Sequence, residues 1–145
     1  MKKSNIQSLS FMFLLLAGVV FSSFSGGADQ KPQADKNVMY RGVKDTVIVM
    51  TETLAEDVIG YEDVIPLKLF ILKDKIVKIE ALPNKETPKY FHLIKVELFP
   101  KFIGMNVKKS SPASVDAVSG ATWTADAVTE NIKRGVEYYL THTLK

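Results

Sequence analysis

Apolar positions change their period along the chain, and the changes mark out its elements. Thr46-Val47-Ile48-Val49-Met50-Thr51 is a β-branched run and predicts a strand. Val64 to Leu72 and Ile76 to Leu82 predict two more, joined by Lys73-Asp74-Lys75 as a hairpin. In the second of these, Ile76, Lys78 and Glu80 alternate with Val77, Ile79 and Ala81, which predicts one wet face and one buried face. Val38 to Arg41 is a candidate first segment of the fold, and Leu54 to Tyr61 is ambiguous, with Leu54 to Ile59 readable as a helical turn ending at Gly60. Further on the period lengthens. Thr87 suits a helix N-cap and Pro88 the first helical position. Phe91, Ile94, Leu98 and Phe102 then share a face, with Pro100 expected to break or kink the helix. In the last segment Ala125, Val128, Ile132, Val136 and Tyr139 recur at steps of three and four, and Asp126, Glu130, Lys133, Arg134 and Glu137 take the other side. The pattern predicts an α+β fold: a small antiparallel β-sheet packed with two main helices, Pro88–Phe102 and Ala125–Leu140.

The first residues follow another pattern. Met1-Lys2-Lys3 is a basic head, Phe11 to Phe21 an apolar run, and Ser22 to Ala28 a tail of mostly small residues. That is the layout of a secretory signal peptide, placed at residues 1–25; the rival reading is an uncleaved membrane anchor. Either one puts the protein outside the cytoplasm, in the periplasm or on the extracytoplasmic face of the membrane. Residues 26–45 read as a linker and the start of the fold, and residues 46–145 as the folded domain. The 145-residue chain is long enough for one domain with a proper core. Its formal charge of +3 partly belongs to the leader: without Lys2 and Lys3, 17 basic residues face 16 acidic ones. No basic cluster exceeds Lys108-Lys109, so nucleic acid is not an expected partner. The absence of cysteine excludes disulfides, cysteine-held metals or clusters, and cysteinyl–flavin bonds. His92 and His142 sit in no motif, no metal site is expected, and the common nucleotide, zinc-protease and hydrolase motifs are absent.

The remaining chemistry concentrates in Val115-Asp116-Ala117-Val118-Ser119-Gly120-Ala121-Thr122-Trp123-Thr124, a tight loop that feeds the last helix. A helix N-terminus presents unpaired N–H groups and positive partial charge, which suit a phosphate. Gly120 allows a sharp turn or close approach to a ligand. Thr124 is the N-cap candidate, with Asp126 then in the first turn, while Ser119 can bond a phosphate or stabilise the turn. Trp123 can stack on a ligand or pack under the helix. Asp116 suits an Asx-type turn or a recognition role.

Asp116-Ala117-Val118-Ser119-Gly120-Ala121-Thr122 resembles the flavinylation motif of the FMN-binding domain family, which includes flavin-carrying subunits of the sodium-pumping NADH:quinone reductase and of the Rnf complex. Glu86-Thr87-Pro88 is similar to the family's Glu-Thr-Pro motif, although Lys89-Tyr90-Phe91 follows where the family has Gly-Leu-Gly. Gly60-Tyr61 also resembles the family, with Glu62-Asp63 in place of a glycine pair. The resemblance implies FMN joined by a phosphodiester to Thr122, with Asp116, Ser119, Gly120, Ala121, Trp123, Thr124, Glu86 and Thr87 around the cofactor. It implies a separate flavin transferase as one partner, using FAD and magnesium, and redox proteins, as in a membrane electron-transfer complex, as the others. Such a chain is an electron carrier, with no catalytic residue of its own, more than a complete enzyme. Two alternatives stay open at this point: FMN held without a covalent bond, and a secreted interaction domain that keeps the fold without flavin.

Overall fold

The computed structural model describes residues 31–115 and 120–144. The predicted leader, residues 1–25, lies outside them, and so do Asp116 and Ser119. Four strands form one sheet: β1 (Met39–Arg41), β2 (Val47–Met50), β3 (Leu67–Leu72) and β4 (Lys75–Ala81), in the order β1-β2-β3-β4. Each pair of neighbours runs antiparallel. The expected α+β architecture is therefore present, with β1 supplied from within the segment read as linker and start of fold. The β3–β4 connection is a two-residue turn, since Leu72 pairs with Lys75. Lys73 and Asp74 both hold positive φ, the conformation that matches the natural twist of a hairpin.

Strict alternation does not survive in β4. The register shifts between Phe70 and Ile71, so Ile71 faces Ile76 while Phe70 faces Lys78. Val77 is the extra residue, and it is exposed. Ile76 and Ile79, three apart in the chain, are both buried as a result. Simple alternation would group Ile76 with Lys78 and Glu80, and the bulge is what rephases the strand. The buried face carries Val49, Leu67, Leu69, Ile71 and Ile76, all fully enclosed. On the wetter face the Lys78 ammonium lies 5.0 Å from the Phe70 ring centre.

The helical stretch that begins at Pro88 runs as α1 (Pro88–Leu93), a π turn over Ile94–Leu98, and α2 (Phe99–Phe102). Pro100 lacks an N–H, and its ring would collide with the carbonyl four residues back. A wider turn placed just ahead of it accommodates both defects, so the helix bulges and continues. Phe91, Ile94, Leu98 and Phe102 are buried as their spacing predicts, and the wide turn adds Phe99 to them. Leu54 to Ile59 forms successive turns, not a helix.

The last helix, α3 (Thr122–Thr141), lies against the same core. Ala125, Val128, Ile132 and Val136 are buried and Tyr139 partly so. A second buried row, Ala127, Asn131 and Gly135, lies beside them at steps of four. Asn131 joins helix to sheet: the Thr51 hydroxyl donates to its Oδ1 at 2.8 Å, while the Leu67 N–H donates to the Thr51 Oγ1 at 2.9 Å. Asn131 Nδ2 donates to the Ala127 carbonyl, so the buried amide is satisfied on both sides. From the polar side of α3, Arg134 reaches the Leu54 carbonyl and pairs with both Asp57 and Glu130. At its far end the chain closes on itself, for Gln33 bridges Thr143 and the Ala34 N–H donates to the Thr143 carbonyl at 2.9 Å. Among the described residues no helix is long and apolar enough to cross a membrane.

Candidate functional site

A cleft of about 430 Å³ opens at the N-terminus of α3. Its lining comes from three separate stretches: Tyr61; Glu86, Thr87 and Tyr90; and Gly120 to Thr124. Gly120, at φ +86°, sets the last of these. A Cβ there would meet nothing within 4 Å, so the backbone angle, not crowding, is what calls for glycine. Ala121 holds the cap position at φ −139°, and the Ala125 N–H makes the first turn's bond to its carbonyl at 2.8 Å. The N–H groups of Thr122, Trp123 and Thr124 thus have no acceptor within the helix, and they begin a 20-residue dipole.

Thr124 is not the cap. The helix begins two residues before it, so Thr124 lies inside the first turn and Asp126 beyond it. The Thr124 side chain is buried, and its hydroxyl donates to Glu86 Oε2 at 2.6 Å. Thr122, by contrast, is exposed at the first helical position, with its residue on the cleft wall. Thr87 does take the N-cap position of α1 through its carbonyl, which accepts from the Phe91 N–H at 3.0 Å, but its hydroxyl makes no capping bond.

Glu86 is 6% exposed, unusual for a glutamate, and its surroundings explain how it is held. Its Oε2 accepts from Thr124, its Oε1 accepts from the Glu62 N–H at 2.9 Å, and its own N–H donates to Asn84 Oδ1. Gly60 is the partner this packing demands, since a Cβ on it would lie 2.6 Å from Glu86 Oε1 and 2.6 Å from Ile65 Cδ1. One carboxyl group therefore ties the 60–63 loop to the first turn of α3. The loop has a second brace in Lys85, 2.6 Å from Asp63. Bonding to the Lys85 ammonium, with the Val64 N–H assisting, holds the Asp63 carboxyl below its ordinary range and raises Lys85.

The latch fixes the aromatic rim. Trp123 is 69% exposed and Tyr61 61%, with ring centres 6.2 Å apart and planes inclined at 46°. Trp123 does not pack under the helix. Tyr90 adds a third exposed ring from α1, with the Lys89 ammonium 6.0 Å from its centre. Seven of the residues expected around a cofactor, Glu86, Thr87, Gly120, Ala121, Thr122, Trp123 and Thr124, line this one cleft. Tyr61 and Tyr90 were not among the expected lining residues. The signal for Tyr61 was its place beside Gly60, and Tyr90 stood where the Glu-Thr-Pro segment departs from its pattern.

These parts fit FMN: open N–H groups for a phosphate, exposed rings for a planar heterocycle, and a volume within the roughly 300–1,000 Å³ usual for small-molecule sites. The family comparison agrees. A family model described as the FMN-binding domain matches residues 60–137, more than half of the chain. No curated protein and no solved structure matches it.

Proposed function

We propose, for a chain that belongs to the FMN-binding domain family and takes FMN as its cofactor, that it is an exported electron carrier with the flavin joined to Thr122. The observation that carries the covalent assignment is the division of labour between two threonines. The Thr124 hydroxyl is buried and spent on Glu86, whereas Thr122 is exposed on the cleft at the helix N-terminus. The bonding step balances as a phosphoryl-group exchange. The Thr122 oxygen takes the phosphorus at the FMN side of FAD, the pyrophosphate linkage breaks, AMP leaves, and the hydroxyl proton departs with it or to solvent. Among the described residues nothing lining the cleft can activate Thr122: it holds no histidine or lysine, and both Glu86 oxygens are occupied by donors. An external flavin transferase, the partner proposed here, supplies that activation. Bound flavin supplies the redox chemistry, and the chain's residues orient and shield it.

The test is mass spectrometry after denaturation. Wild-type chain coexpressed with a flavin transferase should carry one added FMN on the peptide containing Thr122. Thr122→Val should carry none yet fold normally, and Thr122→Ser should keep part of the modification. FMN that leaves wild type on denaturation, or that stays on the Thr122→Val peptide, rejects the phosphodiester. Export is tested by N-terminal sequencing from an exporting cell, where a start near Gly26 is expected and a start at Met1 in the membrane fraction means an anchor.

A further inference from the structure

The cleft does not end at its aromatic rim. Trp123 also walls a second, shallower groove on its other side, formed with Val58, Ile59, Gly60, Asp126 and Ala127. Ile59 is 57% exposed there. Ile59, Trp123 and Tyr61 thus form a continuous apolar face beside the flavin site, larger than a scatter of single surface hydrophobes. Its edge is acidic. Residues 51–66 contain Glu52, Glu56, Asp57, Glu62 and Asp63 and no basic residue. Asp57 is paired with Arg134 and Asp63 with Lys85, but among the described residues Glu52, Glu56, Glu62 and Asp126 make no ion pair. The loop is braced by Glu86, Arg134 and Lys85, so this charge is held in a fixed place. Basic charge lies across the cleft, at Lys89 beside Tyr90.

We infer that the Ile59–Trp123–Tyr61 face, edged by Glu62 and Asp126, docks a redox partner protein whose own redox centre is ringed by lysine and arginine. The inference rests on the electron-carrier reading above. An apolar centre excludes water where the two redox groups meet, and the acidic edge draws in and orients a basic rim. An anionic lipid surface does not fit, because like charge repels it.

The experiment uses the flavin-loaded protein, fully reduced, mixed in a stopped-flow device with a basic ferric c-type cytochrome. Each reduced flavin gives two electrons to two haem irons and two protons to solvent. The rate should fall roughly tenfold or more between low and high salt, as steered association does. Glu62→Lys/Asp126→Lys should be slowed to a similar degree at low salt, and Ile59→Ser should be slowed at every salt concentration. Reoxidation by neutral benzoquinone should stay unchanged in all of these variants. The indole signal of Trp123, the single tryptophan, should shift on titration with the cytochrome. Normal quinone rates with cytochrome rates indifferent to salt and to charge reversal overturn the docking face and leave the carrier intact. Failure of both oxidants overturns the carrier reading, and the docking face with it. A Trp123 shift given by anionic lipid vesicles and not by the cytochrome also overturns it, in favour of a membrane.

Discussion

The first turn of α3 and the body of the same helix solve opposite problems. From Ala125 to Val136 the helix buries two adjacent rows of small and branched residues against the sheet, and what sits there is set by shape. In the first turn Trp123 and Thr122 stand out in solvent, and what sits there is set by a hydrogen bond from Thr124 to a glutamate 38 residues away. The body loses water from apolar surface and gains stability directly. The turn keeps the Trp123 ring wet, which contributes nothing to folding and leaves it available to a ligand. A single helix can thus anchor a domain with one part and present a cofactor site with another, provided something polar fixes the boundary between them.

Substitutions in each part sharpen the contrast. Ile132 is fully enclosed, so Ile132→Ala should cost about 2–5 kcal/mol in urea melts. A loss no greater than that of an exposed control would mean that the buried rows are not the anchor. At the boundary, Thr124→Val keeps the shape but leaves Glu86 Oε2 without its donor, which should cost roughly 1–3 kcal/mol. If Thr124 were merely a cap, Glu86→Gln would be silent. Tied to Glu86, it predicts that Glu86→Gln also loosens the loop, seen as faster amide exchange at Glu62. In the exposed turn, Thr122→Val should change stability by no more than about 0.5 kcal/mol even though it removes the attachment point. A larger loss would show that its hydroxyl also braces the fold.

The far end of α3 offers a contrast in pH. Tyr139 donates to Asp74 Oδ1 at 2.8 Å, and burial, reinforced by that carboxylate, pushes the phenol up to about 12. An unfolded tyrosine releases its proton near 10. The bond's contribution is therefore complete below pH 10 and is lost as pH rises from about 10 to about 12, where the unfolded chain binds fewer protons. Tyr139→Phe should flatten that part of the stability profile. Asp74 behaves oppositely. Lys108, then Tyr139, hold it below the ordinary carboxylate range, so its contribution is present above about pH 4 and fades as pH falls through the lowered value. Equal slopes for wild type and Tyr139→Phe between pH 10 and 12 would remove the phenol from this account.

The sheet and both helices were legible because each rests on a local period of apolar residues, and the loop before Thr122 because its residues form a recognisable string. What period and string miss is side chain meeting side chain across the chain. Asn131 reads as a polar residue on a helix until Thr51, 80 residues earlier, arrives to satisfy it. Thr124 reads as a cap until Glu86 claims its hydroxyl. Val77 reads as core until a bulge, settled by pairing with β3, turns it outward. Tyr61 and Tyr90 lie in no periodic element face, and they become a rim only when three distant stretches converge on one cleft.

The seam between Gln33 and Thr143 has a consequence for reach. It lies past the C-terminal end of α3, and the cofactor cleft lies at the other end of a helix of 20 residues, a span of about 30 Å. The backbone at Lys31 therefore arrives at one pole of the domain while Thr122 occupies the opposite pole. Substitutions in the seam therefore lie a helix length away from the cofactor site, and none of the seam's residues lines the cleft.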